Sequence, residues 1–334
     1  MKISILGAGT WGIALAALLS KNSHEVSVWS AIPAEIDELR ESGRHKNLPD
    51  TKLPSDINYC KEINEAISGS DMVVFVTPSS FIRSTARLAA PHLTDGMILV
   101  CAAKGIEPGT HKTMTEIISD EVSLASPSLK YEVAALSGPT HAEEVAIGLP
   151  TSIVAACKSE ECANIIARAF FNSCMRVYTN TDVLGVEIAG ALKNIIALAA
   201  GINRGMGFGD NSAAMLITRG IAEISRMGVA MGADVRTFSG LAGIGDLIVT
   251  CTSRHSRNNR CGELVGNGMS YKEAQEKIGM VVEGYHALEA AMELSAEYNV
   301  EMPITSAVND VFKNGVSVKE AMHRLMNRDL KSEI

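Results

Sequence analysis

Short apolar runs alternate with amphipathic stretches along the first half of the chain. KISILGAG (2–9) is a β-rich run ending in glycines, GIALAALLSKN (12–22) an alanine- and leucine-rich helix, and EVSVWS (25–30) a second strand. DMVVFVTP (71–78) is apolar almost throughout, as a strand covered on both faces is. SFIRSTARLAAPHL continues as a helix, MILVCAAKG (97–105) as a strand, HKTMTEIISDEV as a helix and YEVAALSGP (131–139) as a strand. TSIVAAC (151–157) and RVYTNT (176–181) are later strands flanking a helix over 159–171. This alternation predicts an α/β domain with a mostly parallel sheet and right-handed crossovers.

After about residue 182 the strand pattern thins out. A long apolar run over 183–202 is followed by helical patterns at 211–233, 283–299, 303–315 and 316–329. Pro303 suits a first helical turn and Gly315 a helix end. The expected division is an N-terminal α/β domain over 1–182 and an all-α domain over 183–334.

The run EIAGALKNIIALAAGI (187–202) is small or apolar apart from Glu187, Lys193 and Asn194. Those charges interrupt it too often for a membrane span. It reads as a core helix in which Gly185, Ala189, Gly190 and Ala191 permit close packing. A buried ammonium is costly unless it is paired or loses its proton. Lys193 is therefore either a chemical group or a lysine whose stem lies on apolar surface while its head reaches water.

Composition narrows the partners. The chain has 334 residues, 46% hydrophobic and 20% charged, with a net charge of −8. Nothing in that charge favours nucleic acid as a partner, since no basic field exists to hold a phosphate backbone. Seven cysteines without a CxxC argue against a disulfide framework or a zinc site and fit a reducing cytoplasm. MKISILGAG enters a strand pattern directly, without a signal-peptide pattern, so the expected localisation is cytoplasmic. The eight histidines show no HxxxH or HExxH spacing, and no metal site is expected.

Gly7-Ala8-Gly9-Thr10-Trp11-Gly12 matches GxGxxG between a strand and a helix, the context a dinucleotide site requires. The first glycine permits the tight turn, the second lets backbone approach a pyrophosphate, and the third lets helix pack on strand. The helix N-terminus then offers N–H groups to the phosphates. The second strand should end in an acid that reads the ribose of NAD or an arginine that holds the 2′-phosphate of NADP. It ends instead in Trp29-Ser30-Ala31, so NAD and NADP both stay open, with Arg44 and Lys46 the cations of the following loop.

GAGTWGIALA, AAKGIE (102–107), SGPTHAEEV (137–145), GALKNIIALAAGI (190–202), GFGDN (207–211), TFSGLAGIGDLIVTCTSRHSRNNR (237–260) and VVEG (281–284) stand in an order that resembles the bacterial-type NAD(P)-dependent glycerol-3-phosphate dehydrogenases. The resemblance implies an N-terminal Rossmann-type doubly wound domain and an all-α C-terminal domain. It implies reversible reduction of dihydroxyacetone phosphate to sn-glycerol 3-phosphate, the backbone of glycerophospholipids. The family usually has Arg where Ala31 stands, and Ser is common where Thr140 stands.

Hydride delivery to a carbonyl builds charge on its oxygen, which needs a donor and finally a proton. A lysine whose pKa is lowered suits that role. By resemblance Lys193 is the proton acceptor in the oxidative direction. Asn194, about 100° around the helix, is a candidate partner for a substrate hydroxyl. Lys104, just past a strand's carboxyl end, lies where open sheets place ligands. The resemblance gives it contacts to both cofactor and substrate, and its charge would disfavour protonation of a nearby Lys193. Asp246 would orient Lys193 or the substrate hydroxyls, and Thr250 would bond nearby.

Ser256-Arg257-Asn258 opens an expected helix whose amides and guanidinium suit the substrate phosphate. Arg257 also lies, by resemblance, near the cofactor. Gly138 and Thr140 match substrate contacts of the family, and Ala142, Val281 and Glu283 match cofactor contacts. Glu283 also fits as a charge at a helix start. The alternatives are a β-hydroxyacid dehydrogenase-like reductase on the same plan and a nucleotide-sensing protein without turnover. A homodimer is the base-rate expectation for assembly.

Overall fold

Runs that are apolar at every position need cover on both faces, and a single sheet provides it. In the computed structural model, which describes residues 1–330, 332 and 333, the strands are β1 (Lys2–Leu6), β2 (Glu25–Trp29), β3 (Asn58–Cys60), β4 (Met72–Phe75), β5 (Ile98–Cys101), β6 (Glu132–Ser137), β7 (Thr151–Cys157) and β8 (Met175–Asn180). Their order is β3-β2-β1-β4-β5-β6-β7-β8. Neighbours run parallel except β6 and β7, which pair antiparallel with Leu136 opposite Ala155. Along β4, Met72 and Val74 join a cluster with Ile13 and Leu15, while Val73 and Phe75 join another with Ile82 and Ile117.

The chain runs outward from β1 to β2 and β3, then restarts on the other side of β1 with β4. Open sheets bind ligands at the carboxyl edge beside such a reversal. On that edge β1, β4, β5 and β6 release the segments carrying Gly7–Gly9, Thr77, Lys104 and Gly138–Thr140.

From Val183 onward the described residues form helices and connections. Asp182 starts the helix Val183–Gly205, accepting from the Gly185 amide at 2.9 Å. This helix is long and apolar enough to cross a membrane, yet 94% of its apolar window is buried within the protein. Its first half lies against the sheet, and the helices Asp210–Ala230, Asp246–Thr252, Arg257–Gly266 and Glu283–Glu297 pack around it. A helix enclosed in this way is apolar on every side because no face meets water.

Two of its contacts are backbone-close. A Cβ on Gly190 would stand 3.1 Å from Ser137 Oγ and 3.4 Å from Lys104 Cγ, so glycine here lets the helix lie on the sheet edge. Tighter still is the crossing with Arg257–Gly266, which the sequence pattern did not single out. There a Cβ on Gly201 would stand 2.0 Å from the Asn259 carbonyl oxygen, and one on Gly262 2.1 Å from that of Leu198.

The sheet side of the helix carries Val183 and Val186, which cluster with Ala135, Val154, Ala156 and Ala242. One turn on, Glu187 accepts from the Thr115 amide at 2.9 Å and from its hydroxyl at 2.5 Å. Burial pushes the Glu187 carboxyl up to about 7, against the Thr115 and Thr113 donors that favour its charge. Its protonated form is therefore the one that folding favours. Its contribution is present below the ordinary value of 4.5 and is lost as pH rises through about 7. Glu187→Gln keeps the protonated shape and is expected to flatten this dependence. Denaturant midpoints of both proteins across that window check it, and parallel curves would refute it.

Candidate active site

The first glycine of the GxGxxG turn has φ +130°, a conformation that favours glycine, and a Cβ there would stand 2.9 Å from Thr77 N. Its amide donates to the Trp29 carbonyl at 2.8 Å, tying the turn to the end of β2. A Cβ on Gly12 would stand 2.0 Å from Gly7 O, so only glycine lets the helix Thr10–Lys21 approach β1 this closely. A Cβ on Gly9 would meet nothing within 4 Å, and Gly9 starts the helix without a side-chain cap. The turn thus leaves its second glycine beside open space and its helix amides uncapped, which fits a dinucleotide pyrophosphate. Thr10 Oγ1 accepts from Asn47 Nδ2 at 3.0 Å, and the same amide lies 3.8 Å from Met280 Sδ, bringing the loop after the second helix toward the C-terminal domain. Trp11 is half-buried and packs on the core cluster of this domain.

Across the sheet edge, two lysines share one carboxylate. Lys193, only 6% exposed, donates from Nζ to Asp246 Oδ1 at 2.6 Å and to Thr250 Oγ1 at 2.6 Å. Lys104 donates to the other oxygen, Oδ2, at 2.7 Å and to the Gly138 carbonyl at 3.2 Å. Thr140 Oγ1 donates to that same carbonyl at 3.1 Å. Asp246 and Thr250 sit one turn apart on Asp246–Thr252, and the Thr250 hydroxyl donates to the Asp246 carbonyl at 2.6 Å. That bond leaves the Thr250 oxygen to accept from Lys193. A wide turn of π type, Leu241–Gly245, precedes Asp246, and a Cβ on Gly243 would stand 2.2 Å from Phe238 O.

The electrostatics follow from burial. Removal from water pushes the Lys193 ammonium down to about 8; Asp246 pulls the other way, and Lys104 adds to the lowering. Burial disfavours charge on Asp246 too, but Lys104 and Lys193 together outweigh it and hold the carboxyl below its ordinary value. The cluster carries two cations on one anion, which favours an anionic substrate.

The other expected site residues fall into two groups. Arg257 donates from Nη1 to the Val281 carbonyl at 3.2 Å, joining the start of Arg257–Gly266 to the VVEG stretch. Ser256 caps that helix, its Oγ accepting from the Asn259 amide at 3.2 Å. Glu283 opens Glu283–Glu297 and reaches the other domain, accepting from the Ser79 amide at 3.1 Å and from its hydroxyl at 2.5 Å. Ala142 is buried at the start of Ala142–Ala146, in the same cluster as Ile13 and Ala14.

Asn194 does not join Lys193. Its carboxamide donates to Gly190 O at 3.3 Å and accepts from Asn258 Nδ2 at 2.9 Å, and Asn258 Oδ1 accepts from the Gly284 amide at 2.9 Å. The two asparagine side chains form a strut across three helices, leaving Asn258 its backbone amide for a ligand.

One residue escaped the sequence reading. Among the described residues His141 Nε2 is buried without a hydrogen-bond partner, and its ring lies 5.7 Å from that of His255. Burial lowers its pKa, and the nearby charge of Lys193 lowers it further. His141 directly follows Thr140 in SGPTHAEEV, and that adjacency is its signal in the sequence.

Fold and site together define a class, the two-domain dinucleotide-dependent oxidoreductases. Family models for the N-terminus and the C-terminus of NAD-dependent glycerol-3-phosphate dehydrogenase match residues 2–163 and 182–323. A glycerol-3-phosphate dehydrogenase (NAD(P)+) 2 of Lactobacillus delbrueckii subsp. bulgaricus is 53% identical, with 100% of this chain and 99% of the relative covered. The Bacillus subtilis glycerol-3-phosphate dehydrogenase (NAD(P)+) is 46% identical, with 100% and 96% covered. The crystal structure of glycerol-3-phosphate dehydrogenase from Coxiella burnetii superposes with a TM-score of 0.92 at 32% identity, covering 98% of each chain. A ketopantoate reductase from Ralstonia eutropha shares the fold alone, with a TM-score of 0.61 at 17% identity, covering 98% of this chain and 100% of its own. The chain belongs to the NAD-dependent glycerol-3-phosphate dehydrogenase family.

Proposed function

We propose that this protein interconverts dihydroxyacetone phosphate and sn-glycerol 3-phosphate with NAD(H) or NADP(H), supplying glycerol 3-phosphate for glycerophospholipid synthesis. The observation that carries this reading is the Lys104–Asp246–Lys193 cluster on the sheet edge that also bears the dinucleotide turn. Gly7, Gly9, Thr10, Trp11 and Gly12 would hold the dinucleotide, together with Ala142, Val281 and Glu283. A bound nicotinamide supplies or accepts the hydride.

The remaining chemistry falls to the chain's own groups. An ammonium has three N–H donors, and Lys193 uses two of them on Asp246 and Thr250. The third is left for the substrate C2 oxygen. In reduction Lys193 Nζ gives its proton to that oxygen; in oxidation the neutral amine takes it back. A value near 8 puts both forms within reach near neutral pH. Asp246 fixes the direction of the amine, and Lys104 favours its neutral form while drawing in substrate charge. Gly138 and Thr140 line the approach to Lys104, and Ser256, Arg257 and the Asn258 amide take the phosphate at their helix start.

The test is loss of NADH or NADPH absorbance on adding dihydroxyacetone phosphate; no change with either cofactor would sink the reading. Arg257→Ala is expected to raise KM for that substrate by ~10–100-fold, the worth of one charged hydrogen bond, with a smaller change in kcat. An unphosphorylated hydroxyacid turned over as well as the phosphorylated substrate would point to the related reductases instead. On the seven unpaired thiols we place the protein in the cytoplasm, and we take its assembly as a homodimer and its domain boundary as Asp182.

A further inference from the structure

We infer that the adenosine end of the dinucleotide site is built for an unphosphorylated ribose, read by Glu35, which Ser30 holds in place, so that NADH is preferred to NADPH. This rests on the dehydrogenase reading and adds the choice of cofactor to it.

The adenosine ribose of a doubly wound domain lies at the carboxyl end of the second strand. Here that end is pinned beside the glycine turn, because Gly7 N donates to Trp29 O at 2.8 Å. The next residue, Ser30, is 5% exposed, and its hydroxyl donates to Glu35 Oε2 at 2.6 Å while accepting from the Ile32 amide at 3.1 Å. Glu35 lies in the first turn of the helix Pro33–Ser42, is half-buried, and is held by Ser30 through only one carboxylate oxygen. Its Oε1 is left to accept from an incoming hydroxyl. An acid that ordinarily ends the strand is thus supplied from the following helix, which is why the strand's last residues are silent on cofactor choice.

A 2′-phosphate would meet the opposite field. PAEIDELRES carries Glu35, Asp37, Glu38 and Glu41 against Arg40 alone. Arg40 is turned away to the Tyr59 carbonyl, Arg44 donates to the Pro49 carbonyl at 2.5 Å, and Lys61 pairs with Asp37 at 2.7 Å. Lys46 is the exposed cation of this region that could still meet a phosphate, and it stands on the loop whose Asn47 bonds Thr10. Like charge beside Glu35 opposes that approach.

Equilibrium binding tests this apart from turnover, since Trp11 and Trp29 lie next to the turn and report a bound dinucleotide by fluorescence quenching. Wild-type protein is expected to bind NADH at least ~10-fold more tightly than NADPH, the loss of one hydrogen bond to a charged group. Glu35→Gln should weaken NADH and strengthen NADPH, closing the gap, and Ala31→Arg should strengthen NADPH. Lys46→Ala should keep the wild-type ratio. Tighter binding of NADPH by the wild type, an equal change for both cofactors in Glu35→Gln, or a loss confined to NADPH in Lys46→Ala would overturn the inference and leave the dehydrogenase reading standing. Binding of neither cofactor would overturn both.

Discussion

Lys193→Met is expected to lower kcat by about 10²–10⁴-fold, the range that general acid–base groups contribute, while the protein still folds and still quenches its tryptophans with NADH. Methionine keeps an unbranched apolar stem of similar length in the enclosed helix, so the packing around Leu192 and Ile196 survives. What disappears is the Nζ that meets Asp246 and Thr250 at 2.6 Å each. The dinucleotide turn lies on another segment and keeps its geometry, so cofactor affinity should move little. Asp246 retains Lys104 as its remaining cation at 2.7 Å, and its carboxyl should titrate at a higher pH than in the parent. Steady-state rates in both directions, with NADH titrations alongside, check the split. A kcat within a few-fold of wild type would remove Lys193 from the chemistry even though the family assignment stands.

Gly262→Ala is expected to damage the helix crossing beneath the site. Its Cβ would stand 2.1 Å from the Leu198 carbonyl oxygen and 3.0 Å from the Ile202 amide nitrogen, both backbone atoms that no rotamer change can clear. The helices must part, and forced overpacking typically costs ~1–3 kcal/mol. The parting also moves Arg257, at the start of the same helix, and the Asn194–Asn258 strut. Thermal stability should fall and KM for dihydroxyacetone phosphate should rise together. Gly209→Ala is the control, because its Cβ would meet nothing within 4 Å. Equal melting of the two variants would show that the crossing yields more easily than its geometry suggests.

Much of the α/β half is legible in the sequence because buried parallel strands are apolar at every position. DMVVFVTP could be read that way, and its core became Met72–Phe75. The reversed direction of β7 was not legible, since TSIVAAC has the same pattern either way along a sheet. Asn58–Cys60, Ala142–Ala146 and Asp246–Thr252 are too short to show a period, and tertiary contacts decide them. The site has the same limit. Local pattern marks Lys193 as costly, but its partners Asp246 and Thr250 stand on Asp246–Thr252, and Lys104, which shares the Asp246 carboxylate, stands on the loop after β5, all far away in the chain. The position past a strand's carboxyl end marked Lys104 as a ligand residue, but only the family resemblance pointed to Asp246 and Thr250. Asn194 carried a warning of its own: adjacent residues on a helix diverge by about 100°, and it faces Asn258.

The seam of Val183, Val186 and Ala242 against Ala135, Val154 and Ala156 bears on how this family could be recombined. Two separate models describe its halves, yet the contact residues of one half are side chains that the other half must fit. A chimera joining this N-terminal half to a relative's C-terminal half inherits Lys104 from one parent and Lys193 and Asp246 from the other. Their shared carboxylate then depends on small residues meeting at a seam that neither parent evolved for that partner. Exchanges that carry Ala135, Val154 and Ala156 together with Val183 and Val186 should keep activity more often than exchanges cut between them.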